Sequence, residues 1–155
     1  MHVRDILKQK GSHVVTIEAG KTVRDAVLLL NEHGIGSLVV TEGSDDVCGI
    51  ITERDILREC GECCTDSSGH ADPVHCACRS LVKDVMTEEV IVGVPDDAMD
   101  RVMSLMTNRR IRHLPIMEDG GLAGIISIGD VVNAHVEKTE FEIRMLKDYV
   151  QGRTY

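Results

Sequence analysis

Apolar residues recur along this chain with two spacings, and the spacings predict a fixed order of strands and helices. After Thr22, hydrophobic side chains fall three and four positions apart, which is the period of one helix face. Two apolar runs with a polar turn between them then predict a pair of strands. The predicted elements are strand 14–17, a helix from 23 to 33, strands 37–41 and 47–51, and a helix from 52 that ends near Cys60.

The same order of elements occurs twice. The motif Gly-Ile-Ile-Thr-Glu-Arg-Asp recurs as Gly-Ile-Ile-Ser-Ile-Gly-Asp at an offset of 75 positions. A supersecondary unit used twice in this way indicates a repeat architecture. We therefore predict an α/β fold of two β-α-β-β-α repeats packed with pseudo-two-fold symmetry, the second running from 90 to 135. The aligned segments are 3–7 with 82–86, 22–40 with 98–116, and 49–55 with 124–130.

Each repeat is small for an independent domain. A domain of ~60 residues buries a modest share of its surface, so we expect the two halves to share one core. The predicted boundaries are 1–62 for the first repeat, 63–80 for a cysteine-rich linker, 81–137 for the second repeat and 138–155 for a C-terminal helical tail.

Composition narrows the classes of partner. A formal net charge of −9 argues against nucleic acid, since neutralising phosphates needs a basic face. The aromatic residues are Phe141, Tyr149 and Tyr155, so neither repeat offers an aromatic platform for stacking bases. No apolar run approaches the ~20 residues of a membrane span, and the first residues lack the apolar core of a signal peptide. We expect a soluble cytoplasmic protein without a membrane partner.

Each copy of the repeated motif places a hydroxyl and a carboxylate where a strand meets a helix: Thr52 with Asp55, and Ser127 with Asp130. Backbone amides and the helix dipole favour an anionic phosphate at such a junction. A carboxylate one turn later can accept from both hydroxyls of a ribose. The alternative is that each pair caps its own helix, because the same spacing is the signature of a capping box. Both roles are compatible in the empty protein.

Three kinds of motif together resemble a tandem cystathionine-β-synthase-type (CBS) domain pair, the Bateman module. They are the repeated Gly-Ile-Ile-Thr-x-x-Asp, Asp-Val-Met-Thr at 84–87 and Arg-His-Leu-Pro-Ile at 112–116, and the resemblance spans residues 1–135. It implies two clefts between the repeats that bind AMP, ADP, ATP or S-adenosylmethionine. It also implies the binding residues: Thr52, Asp55, Ser127 and Asp130 for phosphate and ribose, Arg112 and His113 for phosphate, and Val14, Thr87 and Ile91 for adenine.

The resemblance predicts a stand-alone regulatory module that senses its adenosine ligand and signals occupancy to a partner protein. The sequence contains no Gly-x-Ser-x-Gly, no P-loop and no His-Glu-x-x-His. We therefore predict that the chain is not an enzyme. A metal- or thiol-responsive regulator and a structural dimerisation module are the alternative functions.

The two repeats differ in charge near these motifs. The second repeat carries a basic cluster, whereas Gly36 and Ser37 stand at the aligned positions of the first. We predict that one site prefers charged phosphate more than the other, the alternative being a solvated helix end. The cluster is Arg109, Arg110, Arg112 and His113.

The linker concentrates thiols and imidazoles. These residue types bind zinc, but the linker has no standard pair of Cys-x-x-Cys motifs, so we predict no metal site and take free thiols as the simpler interpretation. The residues are Cys60, Cys63, Cys64, His70, His75, Cys76 and Cys78.

A C-terminal helix is predicted from Asp130 to Val150. It carries an apolar stripe in steps of four and three, which is typical of a coiled coil. Packing on its own domain and self-association are the two interpretations, and we predict a homodimer to which this helix contributes. The stripe is Val132, Val136, Thr139, Ile143, Leu146 and Val150.

Overall fold

The computed structural model describes residues 1–43, 46–63 and 77–150. The helices are α1 Val3–Lys10, α2 Val23–His33, α3 Glu53–Cys63, α4 Val82–Val85, α5 Met99–Arg109 and α6 Ile128–Val150. The strands are β1 Thr16–Glu18, β2 Ser37–Glu42, β3 Asp46–Thr52, β4 His113–Glu118 and β5 Gly121–Ser127. The mixture of helices and strands and the C-terminal helix confirm the predicted fold class.

The chain divides into two compact units. Each unit holds most of one repeat together with the helix that opens the other repeat, α1 or α4. The first unit, His13–Ile91, holds β1, β2 and β3 with α2, α3 and α4. The second unit combines Met1–Ser12 with the chain from Val92 onward, and it holds α1, α5, α6, β4 and β5. Each unit therefore depends on both repeats for its packing.

The first unit is built on a three-stranded sheet in the order β1-β2-β3. β1 runs parallel to β2 with Thr16 beside Val39, and β3 returns antiparallel with Thr52 opposite Ser37. Because α2 and α4 place apolar side chains on this sheet, a single buried cluster forms. Its members are Ile17, Val23, Ala26, Leu30, Leu38, Val40, Ile51, Val82 and Val85.

The first glycine of each repeated motif lets an opening helix pack directly on a strand. A Cβ atom on Gly124 in β5 would lie 2.6 Å from Cδ2 of Leu7 in α1. A Cβ atom on Gly49 in β3 would overlap Sδ of Met86, the residue after α4. Overpacking of this kind destabilises a core. Both glycines are therefore explained by helix-on-strand packing.

The second unit is built on an antiparallel ladder of β4 and β5. The prediction of a further strand at the start of the second repeat is wrong: within residues 77–150, the segment pairs through one bridge, Gly93 with Ile116. Gly93 N donates to Pro115 O and Met117 N donates to Gly93 O, both at 2.9 Å. The next hydrogen bond on either side would need the amide N–H of Pro95 or of Pro115, and proline has none.

α6 is packed along its first turns and exposed beyond them. Val131 and Ala134 are 1% and 3% exposed, and Lys138 Nζ lies 3.2 Å from Asp100 Oδ2 on α5. Between Thr139 and Val150, none of these described residues is buried. The predicted end of this helix is confirmed. No helix in the described part of the chain is long and apolar enough to cross a membrane.

Candidate ligand site

In the first unit, the predicted hydroxyl–carboxylate pair lies where β3 ends and α3 begins. Asp55 Oδ2 accepts from Thr52 N at 2.9 Å and from Thr52 Oγ1 at 2.7 Å. Asp55 N donates to Thr52 Oγ1 at 3.4 Å. Asp55 Oδ1 accepts from Arg58 Nη2 at 3.0 Å, and Asp55 as a residue is 5% exposed. Hydrogen bonds on both oxygens thus fix the position of this carboxylate.

In the second unit, the matching pair lies where β5 ends and α6 begins. Asp130 Oδ2 accepts from Ser127 N and from Ser127 Oγ, both at 2.7 Å, and Asp130 N donates to Ser127 Oγ at 3.2 Å. Lys10, the last residue of α1, also donates to Asp130 Oδ2, at 2.6 Å, and to Ile125 O at 3.2 Å. The side chains of Lys10 and Asp130 are 37% and 20% exposed. The ammonium of the exposed Lys10 therefore sits directly on the candidate ribose acceptor.

The hydrogen bonds around Asp130 hold it ionised at neutral pH. Burial raises the pKa of this carboxyl, but the hydrogen bonds from Lys10 and from Ser127 lower it further than burial raises it. The pKa of Asp130 therefore lies below its ordinary value. An ionised carboxylate is an acceptor without a proton to donate, which suits it to hydroxyl groups.

The two units differ in the group that bonds the backbone carbonyl two residues before the hydroxyl residue, which is Ile50 O in the first unit and Ile125 O in the second. In the first unit, Ile50 N donates to Thr87 O at 3.0 Å, and Thr87 N donates to Ile50 O at 2.9 Å. In the second unit, the aligned carbonyl of Ile125 accepts from Lys10 Nζ. The difference arises because α1 continues to Lys10, whereas α4 ends at Val85 and the chain then turns extended. The ammonium of Lys10 thus takes, in the second unit, the place that the backbone amide of Thr87 has in the first.

A third pair with the same geometry begins α2. Thr22 N and Thr22 Oγ1 donate to Asp25 Oδ2 at 3.0 and 2.7 Å, and Asp25 N donates to Thr22 Oγ1 at 3.2 Å. The residue aligned with Thr22 in the second repeat is Ala98, which has no side-chain cap. The third pair caps α2 and is not repeated in the second repeat. The same capping geometry thus occurs outside the repeated motif, so it does not identify a ligand site by itself. The other two pairs differ from it in their recurrence and in the cation on each carboxylate.

The remaining predicted residues are divided between the units. Thr87 lies beside β3 through its bridge to Ile50, and Val14 and Ile91 are half-buried in the first unit. The described contacts do not link Val14 or Ile91 to the Thr52 pair. The bridge places Thr87 beside Ile50, two residues before Thr52.

The two basic residues of the predicted site lie at the junction of the second unit. Arg112 is exposed, and its O atom accepts from Ile128 N, the first residue of α6, at 2.8 Å. His113 stands opposite Ser127 in the ladder of β4 and β5. Sequence reasoning missed Lys10, because its partner is 120 positions away and no local spacing indicates the contact.

The cysteine-rich linker falls largely outside the described residues. Of its predicted cluster, the side chains of Cys60 and Cys78 are described, and both are half-buried. Among the described residues, no group of three or more His, Cys, Asp or Glu side chains could hold a metal ion. The hypothesis of a thiol- or metal-responsive linker also involves Cys63, Cys64, His70, His75 and Cys76, whose side chains lie outside the described residues.

Known proteins resemble this chain in sequence. The CBS domain family matches residues 3–62 and 82–137. The mitochondrial CBS domain-containing protein CBSX3 of Arabidopsis thaliana is 37% identical over 158 residues, covering 97% of this chain and 72% of that protein. The two matched segments contain both hydroxyl–carboxylate pairs.

Solved structures resemble it in fold. A CBS-domain containing protein from Agrobacterium tumefaciens matches with a TM-score of 0.76 at 36% identity, over 87% of this chain and 99% of that one. The CBS domain pair of protein MJ0100, solved in complex with 5′-methylthioadenosine and S-adenosyl-L-methionine, matches with a TM-score of 0.72 at 22% identity, over 87% of this chain and 99% of that one. At 22% identity the likeness concerns the fold alone.

Proposed function

The chain belongs to the CBS domain family, and from this premise we propose that it is a regulatory module that binds an adenosine-containing ligand and signals occupancy to a partner protein. The ligand is AMP, ADP, ATP or S-adenosylmethionine. It binds at the strand-to-helix junction of each unit, with Thr52 and Asp55 in the first unit and with Ser127 and Asp130 in the second. The module itself performs no catalysis.

The observation that carries the proposal is a cation-paired carboxylate at the same junction of both repeats. Ribose hydroxyls donate to such a carboxylate, and phosphate oxygens accept from a Ser or Thr hydroxyl and from amides at a helix start. The complex of MJ0100 with two adenosine compounds supports the same ligand class on a related fold.

The other predicted residues complete each site. Arg112 would add positive charge and His113 a hydrogen-bonding imidazole for phosphate in the second unit, where both adjoin the start of α6. In the first unit, Thr87, Val14 and Ile91 would contact adenine. Aliphatic side chains must do this, because the aromatic residues of the sequence all lie in its last 15 positions.

Occupancy can change a partner only if the ligand favours one arrangement of the module. Lys10 offers such a coupling in the second unit. A ribose that takes Asp130 competes with the ammonium of Lys10, and α1 loses a contact at its last residue. The ligand thereby alters the end of α1, the helix that opens the first repeat.

We further propose a cytoplasmic homodimer. The exposed apolar side chains of α6 support the dimer, since burying them against a second copy removes them from water. The cytoplasmic location stays a prediction from the sequence.

A thermal-shift screen with AMP, ADP, ATP and S-adenosylmethionine at millimolar concentration tests the ligand. At ~100 times its dissociation constant, a ligand specific for the folded state adds ~2.7 kcal/mol of stability. The double variant Asp55→Asn/Asp130→Asn should lose the shift, and Asp25→Asn is the matched control because its pair has the same geometry without a counterpart. A transition that none of these compounds moves would contradict the proposal.

A further inference from the structure

α6 carries exposed apolar residues on a face that its own unit does not use. The face formed by Val131 and Ala134 is buried on the second unit, yet Val132 and Val136 are 50% and 47% exposed. Beyond residue 137, where the family match ends, the helix continues to Val150. The same exposed face there presents Ile143, Leu146 and Val150, which are 45%, 64% and 82% exposed.

These exposed residues follow a heptad repeat. Steps of four and three assign positions d-a-d-a-d-a to Val132, Val136, Thr139, Ile143, Leu146 and Val150. All three a positions are therefore β-branched, and the last d position is leucine. β-branched residues at a with leucine at d favour two parallel strands. The buried Val131 and Ala134 fall at c and f, away from this seam.

The charges beside the seam are complementary to those of an identical helix. Position g carries His135, Glu142 and Tyr149, and position e carries Asn133, Glu140 and Lys147. In a parallel pair, each g residue faces the e residue of the following heptad in the other helix. Glu142 of one copy then meets the oppositely charged Lys147 of its partner, and the imidazole of His135 lies beside Glu140. Two-fold symmetry forms each contact twice.

We infer that α6 pairs with α6 of a second copy of this chain in a parallel two-stranded coiled coil. The inference rests on the proposed homodimer and specifies its seam and direction. Since the seam avoids the c and f face, α6 can pack on its own unit and on its partner at once. The two copies are thereby joined through residues that mostly follow the CBS repeats.

The full-length protein and its variants should be compared by sedimentation equilibrium at tens of micromolar. Ile143→Asp places a charge in the seam and should weaken dimerisation at least 100-fold. Glu142→Lys and Lys147→Glu each set like charges together and should weaken it about tenfold, whereas the double variant should recover the wild-type constant. Arg144→Glu, at position b of the same turn, is the matched control and should change the constant less than twofold.

The outcomes separate the seam from the dimer itself. A monomeric wild type would overturn both the homodimer and the coiled coil. A dimer that Ile143→Asp leaves intact would overturn the coiled coil and keep the homodimer. Failure of the charge-swapped double variant to recover would overturn the parallel direction. Ligand-induced thermal shifts measured on the same samples report on the proposed ligand independently, because the junction residues lie outside the heptad seam.

Discussion

The junctions of the two units share a hydroxyl and a carboxylate but differ in the charge that faces them. In the first unit, the neutral backbone of Thr87 pairs with β3, and the exposed acids Glu88 and Glu89 follow it. In the second unit, Lys10 holds Asp130, and Arg112 adjoins the start of α6. Repetition of a motif therefore does not place equivalent groups at the two junctions, because the facing group comes from a segment outside the motif.

This difference bears on which ligand each site would prefer. A hydrogen bond to a charged group contributes ~1.5–3 kcal/mol, and a phosphate bound near Lys10 and Arg112 would gain such bonds. The first site offers Arg58, which is 3.0 Å from Asp55, but Glu88 and Glu89 oppose a nearby anion. We expect the second unit to prefer phosphate-bearing nucleotides and the first to accept adenosine compounds with little dependence on phosphate.

The largest expected effect comes from removing each carboxylate in turn. Asp55→Ala and Asp130→Ala should each weaken ATP binding in titration calorimetry, because each loses the acceptor for ribose hydroxyls. The two losses should differ by more than ~1 kcal/mol, the scale of one hydrogen bond. Asp25→Ala is the control and should leave affinity unchanged. Equal losses at the two junctions would contradict the proposed inequality.

A second effect isolates the cation. In an Asp55→Ala background, Lys10→Met should weaken ATP about tenfold relative to adenosine, which corresponds to ~1.4 kcal/mol. The reason is that an ammonium attracts phosphate and leaves an uncharged nucleoside nearly unaffected. Lys8→Met removes the same charge from an exposed position of α1 and is the matched control. If ATP and adenosine weaken equally, Lys10 does not discriminate phosphate.

The local part of both sites could be predicted from the sequence. Thr52 with Asp55, and Ser127 with Asp130, contact each other because residues three apart meet in the first turn of a helix. The contact of Lys10 with Asp130 could not be predicted in this way, since it depends on how far α1 continues and where it packs.

The repeats were predictable as patterns but not as compact units. Aligning 3–7 with 82–86 establishes that α1 and α4 are equivalent, yet it does not say which half each helix joins. The structure places Leu7 against Gly124 and Met86 against Gly49, so each helix packs on the strand of the other repeat. Hydrophobic periodicity reports which face of a helix is buried and carries no information about its partner.

The smallest expected effect concerns stability in acid. Folding lowers the pKa of Asp130. Its ionised form therefore stabilises the fold at pH values above ~3.9, the pKa of the unfolded state. This stabilisation is lost as the pH falls through the lower pKa of the folded state. Because the Lys10 side chain is 37% exposed, the ion pair is screened, and it should contribute less than ~1 kcal/mol.

Lys10→Met should accordingly lower the free energy of unfolding near neutral pH by less than ~1 kcal/mol. Protonation of Asp130 removes the ion pair from the wild type, and the variant lacks it at every pH. The difference in free energy of unfolding between the two proteins should therefore narrow as the pH falls below ~4. Urea unfolding near neutral pH and near pH ~3 measures both values. Lys8→Met provides the control for loss of net charge. If the difference in free energy of unfolding stays constant into acid, Lys10 stabilises α1 through its methylene groups. The stability of the second junction would then depend on charge no more than that of the first.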